Sequence, residues 1–209
     1  MMIVAVVNTK GGSGKTTIAT HLAAHFAQRG VATGLADLDP QESAAGWLAR
    51  RPYTLPAIHS VDLEKAKPPK SLDRLVVDAP AALKRKAVAE VVATADVLVI
   101  PVLPSVFDED GTRRFLAHIE DLKAVRKGRR DVCFVANRVR LRTRAAERLE
   151  AFLAEMRFPV MARLRDTLTY ANLVAEGQTL FDVPGAKFED HRRDWRPLLD
   201  YLDNCAPQA

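Results

Sequence analysis

The sequence predicts an α/β protein: a doubly wound, mostly parallel sheet with helices on both faces. Three observations lead there. Short β-rich runs such as IVAVV, LVVDA and VLVIPV are apolar at nearly every position, as in parallel strands covered on both sides, and do not alternate as a half-exposed sheet would. These runs are separated by longer amphipathic segments, giving a repeated βαβ order. The first run passes directly into a glycine-rich turn that opens a helix, which places a ligand crevice beyond the carboxyl ends of the strands.

Taken in order, strands are expected at Met2–Asn8, Val31–Asp37 (with Pro40 stopping further extension), Arg74–Asp78, Val97–Val102, Val132–Ala136 and Val160–Ala162. Helical periodicity covers Lys15–Arg29, Glu42–Arg50, Leu83–Thr94, Asp108–Val125, Arg144–Met156, Leu168–Glu176 and His191–Asn204. A Pro-rich piece, Lys65–Ser71, reads as a surface loop. A chain of 209 residues with 48% hydrophobic and 27% charged residues is expected to form one domain, 1–209, burying roughly 70% of its unfolded surface. This composition excludes disorder and fibrous repeats. Cys133 and Cys205 lie far apart without metal-ligand spacing, which argues against a disulfide framework or zinc site and fits a reducing cytosol. The apolar stretch from Met1 to Val7 is too short to span a membrane and has no basic region before it, so it reads as a strand, not a signal peptide.

Net charge is +5, a mild excess that permits a polyanionic partner without requiring one. Its distribution is uneven. From Lys123 to Arg148 ten basic residues face two acidic ones, +8 in 26 residues.

The turn after the first strand reads NTKGGSGKTT, Asn8–Thr17. A strand, a turn containing Gly11, Gly12, Ser13 and Gly14, and a helix opening on Lys15, Thr16 and Thr17 is an arrangement in which backbone N–H groups and a helix N-terminus surround phosphate oxygens. Lys15 suits the β- and γ-phosphates and the Thr16 hydroxyl suits Mg²⁺. Thr9 stands where the usual P-loop has its first glycine, and a second lysine, Lys10, follows.

KGGSGKTT resembles the deviant Walker A loop of the ParA/MinD family of ATPases. The resemblance implies a P-loop NTPase fold, ATP and Mg²⁺ as ligands, and a homodimer that sandwiches two nucleotides, with Lys10 reaching the partner's ATP as an arginine finger would. GLADLDPQES, Gly34–Ser43, resembles the family's D-x-D-P-Q segment, which implies that Asp39 orients the attacking water and that Asp37 lies near Mg²⁺. DRLVVDAPA, Asp73–Ala81, resembles a Walker B strand, implying that Asp78 holds Mg²⁺ directly or through water, although Asp-Ala-Pro-Ala departs from the family's usual surroundings of that acid. VIPVLPSVFD, Val99–Asp108, is similar to the loop leading to the dimer face, and CFVANRV, Cys133–Val139, to a strand end whose amide, here Asn137, pairs with adenine. The tail from Arg163 to Asn204 resembles the region lining the base pocket.

Missing features narrow this. The last helix carries Trp195, Leu198, Leu199 and Leu202 beside Asp200 and Asp203, so it is expected to pack on the sheet and not to bind membrane as MinD-like tails do. No DNA-reading helix-turn-helix precedes the loop, which suggests a small ParA-type partition protein. The resemblance then implies ATP hydrolysis, an ATP-dependent dimer on non-specific duplex DNA, a ParB-like or other cargo adaptor that stimulates turnover, and a cytoplasmic, nucleoid-associated location. Its cargo would be a plasmid, a chromosome region or a protein assembly. Arg138, Arg140, Arg142 and Arg144, then Arg163 and Arg165, then Arg192, Arg193 and Arg196 are three candidate DNA-binding clusters. The alternatives are a synthetase of the dethiobiotin type, which would have no use for Lys10, and a MinD-like positioning ATPase.

Overall fold

Strand β1 (Met2–Val6) is the middle strand of the computed structural model, in which residues 1–81 and 85–205 are described. The elements that follow it are α1 (Lys15–Gln28), β2 (Thr33–Asp37), α2 (Ser43–Arg50), β3 (His59–Ser60), β4 (Arg74–Asp78), α3 (Arg85–Thr94), β5 (Val97–Val102), α4 (Val106–Glu120), α5 (Lys123–Arg126), β6 (Asp131–Val139), α6 (Arg144–Ala154), β7 (Val160–Arg165), α7 (Thr169–Ala175) and α8 (Glu189–Asn204). The strands form one sheet of order β3-β2-β4-β1-β5-β6-β7, and every pairing is parallel. The order reverses at β1, which lies between β4 and β5, so the turn after β1 opens at the switch point of the sheet.

Alternate residues of each strand feed two cores. Met2, Val4 and Val6 point with Val76, Val99 and Cys133 toward α1 and α8, while Ala5 and Val7 join Val77, Ile100 and Phe134 under α3, α4 and α6. Helix α8 buries Trp195, Leu198, Leu199 and Leu202, so its apolar stripe is spent on the sheet as expected. Among the described residues no helix is long and apolar enough to cross a membrane. Cys133 is buried and Cys205 half-buried, both as free thiols, and burial pushes the Cys133 thiol well above its usual range.

Several boundaries depart from those expected. The helix read as Asp108–Val125 is two helices, because Leu122 is extended (φ −69°, ψ 129°) and breaks the run. Strand β6 continues past Ala136 to Val139 through Arg138, whose positive φ of 53° coincides with an irregularity in the pairing with β7. The two-residue β3 has no counterpart in the sequence reading. The helix expected to start at Leu83 is described from Arg85, and residues 82–84 lie outside the described residues.

On one face α1 and α8 meet through an aromatic cluster around His21. Its ring stacks on Trp195 at 5.1 Å between centroids and meets Tyr170 and Phe181 edge-on. Nδ1 lies 2.7 Å from Thr17 O, and Nε2 accepts from Leu180 N at 3.4 Å, which selects the neutral ring with its proton on Nδ1. Burial pushes the pKa of His21 down to about 4. A second link is a bidentate ion pair between Arg51 and Asp182 (2.9 and 2.8 Å), in which the Arg51 side chain is 4% exposed and that of Asp182 0%. Asp182 also accepts from Gln28 Nε2 and from the N–H and hydroxyl of Thr179, so its carboxylate stays ionised despite burial.

Because His21 must stay neutral when folded but can protonate when unfolded, stability is present above pH 6.5 and is lost as pH falls toward 4. Urea titrations across that window should show a loss of roughly 3 kcal/mol attributable to this ring. A His21→Phe variant should flatten that part of the pH dependence.

Candidate functional site

The parallel register brings three strand ends level: Val6 pairs with Asp78 across β1 and β4, and Asp37 with Asp78 across β2 and β4. The turn from Val7 to Gly14 rises from this line. Asn8 is buried and holds its base, donating Nδ2 to Pro101 O on β5 (2.7 Å) and accepting from Lys10 N (3.0 Å). Ser13, fully buried, donates its hydroxyl to Lys10 O at 3.2 Å, and Lys15 Nζ donates to the same oxygen at 3.2 Å. The loop is therefore closed on itself, and Lys10, Gly11 and Gly12 lie exposed at its crest.

Gly14 must be glycine. It adopts φ 95° at the start of α1, and a Cβ there would lie 2.2 Å from Asn137 Nδ2. Asn137, 7% exposed at the end of β6, donates to Ser13 O at 2.8 Å, and its oxygen accepts from Arg138 N. The amide expected to read a base thus also braces the phosphate loop, a long-range contact that the sequence pattern did not reveal. Beside it lies a cavity of about 280 Å³, with Thr17, Asn137 and Thr167 as polar wall and Leu168, Ala171 and Val174 as apolar wall.

Thr16 Oγ1 donates to Asp78 Oδ2 at 2.6 Å, tying α1 to β4. Asp78 has no exposed surface and its Oδ1 has no partner among the described residues; burial first, and then the nearby Asp37 and Asp39 charges, push its pKa up to about 7. Lys15 is also buried. That burial lowers its pKa, with Asp78 and Asp39 acting in the opposite sense. Among the described residues no group of three or more His, Cys, Asp or Glu side chains is arranged as a metal cage. An unpartnered buried carboxylate oxygen beside a hydroxyl is instead the donor set that Mg²⁺ uses when phosphates and water complete its shell.

Asp37 faces elsewhere. Its Oδ2 accepts from Ala44 N and Ala45 N (2.8 and 2.9 Å), capping α2, while Oδ1 accepts from Asp39 N at 3.0 Å. Asp37 thereby fixes the backbone of Asp39, which is half-exposed at the mouth of the site and accepts from Gln41 N at 3.0 Å. Two carboxylates leaving one strand end have separated roles, one structural and one facing outward. Asp108, at the start of α4, was not singled out as a site residue by the sequence; it is 4% exposed and close enough to Lys10 for that charge to oppose the upward push of burial on its pKa.

Residues 4–180 match the family model described as "CobQ/CobB/MinD/ParA nucleotide binding domain", and the chain belongs to that family. It is 30% identical over 190 residues to the maintenance of carboxysome distribution protein A of Halothiobacillus neapolitanus, covering 86% of each chain. It is 31% identical over 156 residues to the chromosome-partitioning ATPase Soj of Thermus thermophilus, covering 58% of this chain and 62% of that one. The apo McdA structure from Cyanothece superposes with a TM-score of 0.80 at 15% identity, covering 97% of this chain and 99% of that one, a likeness of fold. The P-loop fold of the ParA/MinD type expected from KGGSGKTT is thus the fold found.

If Asn137 braces the loop, Asn137→Ala should destabilise the nucleotide-free protein by about 1–2 kcal/mol, because Ser13 O loses its buried donor. Chemical denaturation without nucleotide measures it.

Proposed function

We propose that the chain is an ATP hydrolase of the ParA type that dimerises around two ATP molecules, binds duplex DNA without sequence preference in that state, and positions a large cargo whose adaptor stimulates hydrolysis. One observation carries the reading: a phosphate loop bearing two lysines stands over strand ends that level Asp78 with the Asp37–Asp39 turn. The N–H groups of the loop and Lys15 would hold the β- and γ-phosphates. Thr16 and Asp78 would hold Mg²⁺, which when bound neutralises phosphate charge. Asp39 would orient the attacking water, with Asp37 acting through the backbone of Asp39 and not as a direct metal contact. Lys10, exposed at the crest, would reach the partner's nucleotide, and Asn137 would meet adenine from the wall of the adjoining cavity. A relative named for carboxysome distribution favours a protein assembly as cargo.

Charge pairing favours one DNA-binding cluster over the other two. Arg163 is bidentate to Glu150 and Arg165 to Asp194; Arg192, Arg193 and Arg196 pair with Glu189 or Asp190. Arg140 pairs with Asp166 at 2.6 Å. Among the described residues Arg138, Arg142 and Arg144 make no ion pair. Arg142 holds φ 62°, and Arg144 opens α6, where a cation opposes the helix dipole. These local costs are what a phosphate-binding loop accepts in exchange for presented charge.

Asp39→Ala should keep ATP-dependent dimers while turnover falls at least roughly a hundredfold, as removal of a water-positioning base does. Sedimentation with ATP and a phosphate-release assay read both, and normal turnover would sink the assignment. DNA binding should require ATP and weaken steeply with salt, and Arg142→Glu with Arg144→Glu should lower both affinity and salt slope. Nucleotide-free binding at high salt would refute the cycle.

A further inference from the structure

The Pro-rich segment that the sequence marks as a surface loop roofs an apolar cavity of about 410 Å³. Its floor follows from strand alternation: Ile3 pairs with Leu75 and Ala5 with Val77 across β1 and β4, and all four side chains leave the same face of the sheet. Ala5 supplies only a methyl among these larger neighbours, which leaves the floor hollow at its centre. Val91 and Thr94 of α3 form one wall and the loop from Leu63 to Pro68 the other, with Leu38 closing one end. No residue of the turn 8–17 and none of α4 lines it.

The roof is held in place. Val61 and Leu72 are buried on either side of it, and Asp62 Oδ1 accepts from Glu64 N and Lys65 N (3.1 and 3.2 Å). The polar side chains that line the cavity are Glu64, Lys65, Lys67 and Thr94, and all four are exposed at its mouth. The Thr94 hydroxyl is already spent on the Glu90 and Val91 carbonyls of its own helix. A peptide entering here would bury N–H and C=O groups with no partner to meet them, and water would fare no better. A saturated hydrocarbon chain carries no such groups. At the mouth the stretch Glu64–Lys70 sets three lysines against one acid; Lys65 pairs with Asp62 at 2.7 Å, while among the described residues Lys67 makes no ion pair.

We propose that this cavity binds a free medium-chain aliphatic carboxylate, its chain lying on Ile3, Ala5, Leu75 and Val77 and its head group meeting Lys67. The volume falls within the range of roughly 300–1,000 Å³ usual for small-molecule sites. Leu38 stands between Asp37 and Asp39, so the bound chain would touch the turn that carries the candidate water-positioning residue. The inference goes beyond the proposed function and does not depend on hydrolysis.

The test is isothermal titration calorimetry on the full chain without nucleotide, using hexanoate, octanoate and decanoate. Affinity should rise roughly fourfold for each added methylene, the gain expected when each is buried. Decanoate should bind at least roughly tenfold more tightly than decyltrimethylammonium, and Lys67→Glu should narrow that preference at least about threefold. Ala5→Val should fill the hollow, weakening decanoate roughly tenfold without lowering Tm. Affinity independent of chain length, equal affinity for the ammonium probe, or a preference unmoved by Lys67→Glu would each overturn the proposal. So would an Ala5→Val protein that keeps its Tm and still binds decanoate normally.

Discussion

A carboxylate with no exposed surface is the constraint around which the site is arranged. Asp78 ends a central strand at the level where β1 becomes the phosphate loop, and only one of its oxygens is satisfied within the described chain, by Thr16. A buried anion in this position requires compensation. Lys15 supplies part of it from within the loop, and the remaining oxygen, without a partner among the described residues, is the one that the proposed Mg²⁺ would meet. The neighbouring carboxylates already push against the Asp78 charge and would do so more strongly if they turned inward. Asp37 instead spends its charge on the N-terminus of α2, and Asp39 projects to the mouth.

What the sequence made legible was local. The two-lysine glycine loop, the apolar strands and the Asp-x-Asp turn are contiguous, and their physics is carried by spacing. What it hid was made by residues far apart. Asn137 and Ser13 are separated by 124 positions, Arg51 and Asp182 by 131, and His21 from Leu180 by 159. No periodicity announces such pairs. The same blindness affected the basic residues: three clusters looked equivalent as text, yet Arg163 and Arg165 are neutralised by acids that the fold brings near, while the α8 arginines pair with Glu189 and Asp190 at the start of their own helix. Strand β6 was cut short because its apolar run ends at Ala136, although its backbone continues pairing through a residue with positive φ.

The latch between Arg51 and Asp182 and the stack of His21 on Trp195 have a common effect. Each ties one of the first two helices to the chain beyond α7: Arg51, at the end of α2, holds Asp182, and His21 of α1 stacks on Trp195 of α8. Helices α1 and α2 are thus joined to the C-terminal part of the chain by buried contacts, one ionic and one aromatic. Both ties resist the local opening that exposed loops permit.

The strand order also governs how the chain acquires its shape. Strand β1 has β4 and β5 as neighbours, so Val6 finds Asp78 and Val99 and no residue of β2. Until the chain has been made past residue 99, the central strand has only part of its sheet to pair with. Completing the centre of the sheet therefore requires non-local closures, the slow kind, and an apolar strand edge stays unpaired until β5 has been made.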